Sequence, residues 1–275
     1  MIFQIKNAMK TIFITGASTG LGKATALKFA NSGWKVIATM RNPERGTELS
    51  SHENITIFPL DVTNSQQITQ AVEFAIDMQV DVVLNNAGVG LIGPLEAYSD
   101  EQVQQQIQVN MLSVIQITRA FIPYFRQRQS GLLMATTSIA GLITFPFGAV
   151  YSATKWAVEG MYESLSFELE RYNVGVKTIA PGGIASSFRD NMVIASNEAY
   201  NPAFNQMYHA FLSGKTPTKV SAAEELAEVV FEAATDGKKQ IRYLAGEDAK
   251  TYVQQRLTQG AEQFRNNLAE IFFGK

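Results

Sequence analysis

Tyr151 and Lys155 are separated by three small residues in Tyr151-Ser152-Ala153-Thr154-Lys155, and Ser138 lies upstream at the end of an uncharged apolar strand. On a helix, positions i and i+4 share a face, so the ammonium can sit beside the phenol oxygen. A free tyrosine, with a pKa near 10, is too weak an acid to work well near neutrality. A nearby ammonium favours the phenolate, and lowering the pKa by about 3 units takes roughly 4 kcal/mol of differential stabilisation. These residue types at this spacing read as a device for moving a proton to or from an oxygen.

The elements that must hold them alternate. Short β-branched runs are expected as strands at Lys10–Thr15, Lys35–Thr39, Thr56–Leu60, Val82–Leu84, Leu132–Thr136, Gly175–Ile179 and Gln240–Tyr243. Helical patterns fall between them, notably Leu21–Asn31, Ser65–Met78, Asp100–Arg126 and Ala153–Tyr172, with Asn64 placed to cap the second. Such alternation signals an α/β fold with a parallel sheet, here of about seven strands, doubly wound into three layers. Several strands are almost wholly apolar, as expected when helices cover both faces. Residues 1–9 read as an N-terminal extension, since a second methionine, Met9, stands just before the first strand. Residues 10–275 read as a single domain. Its rhythm breaks at about 186–220, a long stretch rich in aromatics, Met, Asn and Pro that reads as a substrate loop. Amphipathic helices at about 247–273 follow, placed to cap the pocket or meet a partner subunit.

Bulk properties exclude several classes. Of 275 residues, 23 are basic and 25 acidic, for a net charge of -2, which provides no field for nucleic acid and no polybasic patch for lipid. The absence of cysteine removes disulfides, thiolate nucleophiles and Cys-ligated zinc, and no metal ligand set is expected. The longest uncharged run, Leu132 to Thr154, is long enough for a membrane span. Its threonines, serines, proline and glycines instead suit a buried strand leading into a polar loop. The first ten residues are too short and too broken by Lys6 and Asn7 for a signal peptide, so a cytoplasmic location is expected.

The first strand runs into Thr15-Gly16-Ala17-Ser18-Thr19-Gly20-Leu21-Gly22 and then a helix. Glycines at such a turn let a pyrophosphate approach the backbone, and the helix N-terminus offers free N–H groups and partial positive charge. Gly16 to Gly20 also fits the G-x-S-x-G nucleophile elbow. That fold needs an acid and then a histidine downstream, and here the elbow would lie on the first strand of a chain with only His52 and His209.

The glycine turn, Asn85-Asn86-Ala87-Gly88, Ser138, Tyr151-x-x-x-Lys155 and Pro181-Gly182-Gly183 follow one another in order. Together they resemble the classical short-chain dehydrogenase/reductase family of Rossmann-like proteins, over Lys10 to about Ser187. The resemblance implies a catalytic set of Asn110, Ser138, Tyr151 and Lys155. In it the asparagine holds a water in a proton relay and the serine hydrogen-bonds the substrate oxygen. The tyrosine exchanges the proton, so Ser138 and Tyr151 are also the substrate contacts. The lysine binds the nicotinamide ribose and depresses the tyrosine pKa. Implied cofactor contacts are Gly16, Ser18, Thr19, Gly20, Leu21, Gly22, Arg41, Asp61, Val62, Asn86, Ala87, Gly88, Tyr151, Lys155, Pro181, Gly182, Ile184 and Ser186.

Cofactor choice rests on the end of the second strand. Members that prefer NAD carry an acid where this chain has Met40, and Arg41 follows directly. An arginine can make charge-assisted bonds to a 2′-phosphate that an acid would repel, so NADP(H) is expected. The implied activity is that of an NADPH-dependent carbonyl reductase or alcohol dehydrogenase on an apolar carbonyl or secondary alcohol. Phe145, Phe147, Phe188, Met192, Tyr200, Phe204, Met207 and Tyr208 are candidate pocket walls. Two other readings are a sugar epimerase or dehydratase of the extended branch and a cofactor-sensing regulator. The glycine spacing and chain length oppose the first, and the intact Tyr151 and Lys155 oppose the second. The resembled family pairs the helices expected at Asp100–Arg126 and Ala153–Tyr172 across a two-fold axis. A homo-oligomer is therefore expected, with Val114, Phe121 and Phe125 adding apolar surface for it, and a homodimer over a homotetramer because the segment Glu247 to Lys275 is placed to block the second interface.

Overall fold

The computed structural model describes residues 9–186, 188 and 191–274; the first eight residues of the expected extension lie outside them. The chain opens with β1 (Thr11–Thr15), α1 (Gly20–Asn31), β2 (Lys35–Met40), the short α2 (Thr47–Ser50), β3 (Ile55–Pro59) and α3 (Ser65–Asp77). It continues with β4 (Val82–Asn85), β5 (Leu91–Ile92), α4 (Asp100–Ile107), α5 (Ser113–Arg128), β6 (Gly131–Thr136) and α6 (Ala149–Leu169). Then come β7 (Val174–Pro181), β8 (Gly183–Ala185), β9 (Val193–Ile194), α7 (Asn201–Leu212), β10 (Val220–Ala222) and α8 (Ala223–Thr235). The last elements are β11 (Arg242–Ala245), α9 (Glu247–Gln259) and α10 (Ala261–Phe273).

Seven strands form one parallel sheet in the order β11-β7-β6-β4-β1-β2-β3. The chain winds outward from β1 to β3 and returns to β4 on the other side of β1. The crevice between the carboxyl ends of β1 and β4 is therefore the topological switch point, where doubly wound sheets bind ligands. One apolar cluster joins β1 and β2 to α1 and α8 on one face, through Phe29, Leu226 and Val230. A second joins the other face to α3, α5 and α6, through Phe121, Phe125 and Tyr162. Alternate residues of β1 face each cluster, which explains why all five are buried.

Four expectations are corrected. The last strand is two residues later than expected, because its pairing with β7 runs from Arg242↔Thr178 to Ala245↔Pro181. The helix expected at Asp100–Arg126 is broken by a π turn at Gln108–Leu112 that no pattern announced. The helix expected from Ala153 begins at Ala149, so Tyr151 lies in its first turn. Val114, Phe121 and Phe125 are buried in the second cluster and supply no partner surface; the exposed large apolar residues in this region are Leu112, Trp156 and Phe167.

Within the 186–220 stretch the described residues form β9 and α7, the latter started by Pro202 in its first turn. Helices α7, α9 and α10 share a third apolar cluster with Ile139 and Ile143, built on Met207, Tyr252, Phe264 and Phe272. The C-terminal helices thus pack onto the loop region of their own chain.

Candidate active site

The tips of β1, β4 and β6 are tied together by side chains. Thr15 Oγ1 accepts the backbone N–H groups of Asn86 (2.9 Å) and Ala87 (3.0 Å). Asn86 Nδ2 donates back to the carbonyls of Thr15 (3.0 Å) and Gly16 (3.2 Å), while its Oδ1 accepts from Thr136 Oγ1 (3.2 Å). Asn85 turns the other way, into the core, and donates to Thr118 (3.1 Å) and Tyr162 (3.0 Å). This closeness dictates the glycines. Gly16 has φ +67°, and a Cβ there would lie 2.8 Å from the Ala87 Cα; one on Gly22 would run into the Gly16 carbonyl.

Helix α1 then starts without a cap. Thr19 makes no side-chain cap bond and the first turn holds no acid. By contrast, Asn64 caps α3 by accepting from Gln66 and Gln67, and Ser99 and Gln102 form a capping box on α4. The first-turn N–H groups of α1 are thus left for an anion at the switch point.

Around that crevice the structure brings Asn110, Ser138, Tyr151 and Lys155 together. Tyr151 and Lys155 lie on successive turns of α6, with the Lys155 Nζ 5.8 Å from the phenol ring centroid. Lys155 Nζ donates to the Thr136 carbonyl at 2.9 Å. Ser138 caps a short turn by accepting from Ala140 N (3.1 Å), and its side chain lies near enough to the Tyr151 phenol to favour the phenolate. Asn110 lies in the π turn, nearly fully buried. Its Oδ1 accepts from Val89 N and its Nδ2 donates to Val89 O, both at 2.9 Å. Val89 engages both ends of that side chain, and each end keeps one further site, an amide hydrogen and an oxygen lone pair. Gly88 sits between the two: a Cβ there would lie 3.5 Å from Asn110 Oδ1 and 3.8 Å from Lys155 Nζ.

The electrostatics differ from the sequence expectation. The Tyr151 phenol is raised above the usual tyrosine value, because dense packing around it disfavours the phenolate more than Ser138 favours it. Lys155 is pulled down to about 8 by burial, with the carboxylate of Glu159 acting in the opposite direction. The expected lowering of the tyrosine is absent because desolvation outweighs the other influences.

The remaining candidates line the same edge. Arg41 follows the buried Met40 at the tip of β2, is exposed, and has no hydrogen-bond or ion-pair partner among the described residues. Asp61 folds into an Asx turn, accepting from Thr63 N (2.9 Å) and Thr63 Oγ1 (2.7 Å), and Val62 beside it is buried. Pro181 ends β7 and Ile184 sits in β8. Ser186 closes over the glycine turn: a Cβ on Gly20 would lie 3.1 Å from that of Ser186. Ser18, Thr19 and Leu21 complete the turn.

Three residues went unread in the sequence. Asp248, 1% exposed, accepts from Gly183 N at 2.8 Å, and its carboxylate fills the space a Cβ on Gly182 would need. Its signal was an acid in the first turn of a helix, with nothing to show which loop it would meet. Thr15 and Thr136 were read only as strand ends. Among the candidate wall residues, Phe188 packs on Tyr151 with ring centroids 6.3 Å apart, and Met192 packs on Gly90. Phe147 meets Tyr200 and Phe204, whereas Phe145 and Met207 belong to the third core and Tyr208 is exposed.

A crevice of this construction is where doubly wound proteins hold dinucleotides, and the chain is an oxidoreductase by kinship as well as by form. It belongs to the short chain dehydrogenase family, whose model matches residues 10–196. It is 31% identical to human 17-beta-hydroxysteroid dehydrogenase type 1 over 267 residues, covering 91% of this chain and 81% of that protein. It is 37% identical to the 3-ketodihydrosphingosine reductase of Bacteroides thetaiotaomicron over 199 residues, covering 70% and 72%. A short-chain dehydrogenase structure from Streptomyces avermitilis superposes with a TM-score of 0.83 at 25% identity, over 97% of each chain.

Proposed function

We propose that the protein is an NADPH-dependent carbonyl reductase, running as an alcohol dehydrogenase in reverse, on an apolar carbonyl or secondary alcohol. The observation that carries this reading is the pairing of Tyr151 with Ser138 and Lys155 beside an uncapped helix at the switch point. The residues present fit a nicotinamide dinucleotide. The α1 N-terminus and glycine turn suit its pyrophosphate, the Lys155 ammonium its ribose hydroxyls, and exposed Arg41 a 2′-phosphate. When bound, the reduced cofactor supplies hydride to the carbonyl carbon.

The chain itself handles the oxygen. Ser138 donates to the carbonyl oxygen and orients it, and Tyr151 gives it the proton. Burial keeps the phenol protonated, the state in which a proton donor for reduction must start. Asn110 clamps Val89 and holds a relay water. Phe188 packs on the phenol ring and meets Met192 at Gly90, an apolar surface that suits an uncharged substrate. The steroid and sphingoid names of the two relatives agree with that class.

Aldehydes, ketones and steroid-like alcohols assayed for NADPH oxidation, or NADP reduction in reverse, test the reading. Turnover of an apolar ketone is expected. Failure with every carbonyl and alcohol, despite measured NADPH binding, would overturn it. We also propose a homodimer through α5 and α6, supported by exposed Leu112, Trp156 and Phe167. In light scattering it should give about twice 30.2 kDa.

A further inference from the structure

We propose that Glu159 is a positioning residue for Lys155: a buried carboxylate one turn further along α6, anchored to the sheet, that supplies the ammonium with its counter-charge. This rests on the reading of Lys155 as the group that serves cofactor and phenol. Tyr151, Lys155 and Glu159 follow one another at four-residue spacing, so the three side chains share a broad face of α6. Lys155 and Glu159 are 6% and 3% exposed, and a Cβ on Gly141 would touch both the Lys155 carbonyl and the Glu159 Cγ.

Glu159 is gripped from the residue just after β6, from β7 and from β11. Its Oε1 accepts from Thr137 Oγ1 at 2.5 Å, next to Ser138, and its Oε2 accepts from Thr178 Oγ1 at 3.1 Å and Arg242 Nε at 2.8 Å. Arg242 also reaches Glu163 at 3.1 Å and is partly exposed, so it links the buried pair to the surface. Among the described residues the ion-pair partner of Glu159 is Arg242 from β11, with Glu163 on the far side of that guanidinium; Lys155, one turn earlier on the same helix, sits on the carbonyl of Thr136, next to Thr137, and acts on Glu159 at longer range. Thr137 and Thr178 bring no charge. Around Lys155 stand Tyr151 and Glu159 from α6, the Thr136 carbonyl from β6, and uncharged Asn110.

A buried ammonium loses its proton unless a negative charge opposes the burial. Burial already takes Lys155 to about 8, and Glu159 is the charge that resists. Without it the lysine would turn neutral within the working pH range and lose its hold on the ribose hydroxyls. Arg242 acts in the opposite sense, since its positive charge weakens the field of Glu159 at Lys155.

Calorimetric titration with NADP⁺ between pH 6 and pH 9 tests this, each variant being compared with the parent at the same pH. Glu159→Gln should bind within about threefold of the parent at pH 6 and about five- to tenfold more weakly at pH 8.5, as a one-unit fall in the lysine pKa implies. Arg242→Gln, altered at the exposed end of the network, should move the alkaline loss of binding upward. Equal weakening by Glu159→Gln at both pH values would mark a purely structural role and overturn the proposal. So would movement of both variants in the same direction, a comparison that Arg242→Gln alone still permits in its sign if Glu159→Gln does not fold. Lys155→Met separates the two levels. If it binds like the parent at every pH, the reading of Lys155 fails. If it binds weakly without pH dependence while Glu159→Gln follows the parent, only the role of Glu159 falls.

Discussion

The strand tips at Thr15, Asn86 and Thr136 and the later apolar segment around α7, α9 and α10 are held by different forces. The tips are joined by directional bonds: two N–H groups on Thr15 Oγ1, two carbonyls on Asn86 Nδ2 and one hydroxyl on Asn86 Oδ1. Gly16 and Gly22 there leave no space for a methyl group. The later segment is held mainly by apolar contact: Phe204 on Phe147, Phe211 on Phe272, Phe145 against Tyr252. Directional bonds fix atoms and admit no replacement, whereas apolar packing fixes volume and accepts side chains of similar size. One region sets where atoms sit during the reaction, and the other sets which molecule fits over them.

The largest expected effect removes the one atom on which the chemistry depends. Tyr151→Phe should lower kcat by about 10³-fold or more, near the upper range for a lost general acid, while NADPH affinity stays within a few-fold. A kcat within tenfold of the parent, measured beside a binding titration, would sink the assignment. Next comes a direct contrast of the two regions. Gly22→Ala forces a methyl group toward the Gly16 carbonyl and the Asn86 amide, so it should destabilise by about 1–3 kcal/mol and lose most cofactor binding. Met207→Leu, in the third core, should cost less than about 1.5 kcal/mol and leave cofactor binding unchanged. Thermal melts and NADPH titration read both; similar losses in the two would erase the distinction.

A smaller effect tests the rim of the crevice. Arg41 is exposed with its guanidinium free of described partners, so Arg41→Ala should leave stability unchanged. One charged contact to a 2′-phosphate contributes about 1.5–3 kcal/mol, so the preference for NADPH over NADH should fall roughly ten- to a hundredfold. The ratio of kcat/KM values for the two cofactors measures this. An unchanged ratio would make Arg41 an ordinary surface residue.

What the sequence disclosed follows the same divide. The glycine turn, Asn85-Asn86-Ala87-Gly88 and Tyr151-x-x-x-Lys155 are local signals, each complete within eight residues, and each marks the tip of a strand or the start of a helix. The seven-stranded sheet was legible for the same reason, since apolar runs have their own period. Asp248 was not, because its meaning lies in Gly183, 65 positions away. Nor was the clamp of Asn110 on Val89, which depends on a π turn no pattern announced. The sign of the Tyr151 shift was missed because spacing showed the ammonium but could not show how densely the phenol is packed. Helix α7 was hidden by the composition of its stretch, which reads as a loop until α10 supplies the surface for it to pack on.

The smallest predicted effect joins the two regions at their one contact on the reacting group. Phe188 leads into the apolar segment, and its ring lies over Tyr151 with centroids 6.3 Å apart. Burial raises the phenol, so removing part of the cover should admit water and bring the pKa back toward the ordinary tyrosine value. In alcohol oxidation the phenolate is the base, and kcat/KM rises as pH passes through the tyrosine pKa. Phe188→Ala should therefore move that rise to lower pH, by less than about one unit. Met192→Leu keeps the volume over Gly90 and should leave the rise in place while changing KM for bulky substrates. The pH profile of kcat/KM for one secondary alcohol checks both variants. An upward move in Phe188→Ala would mean that the ring does not desolvate the phenol, and the apolar segment would then act on substrate shape alone.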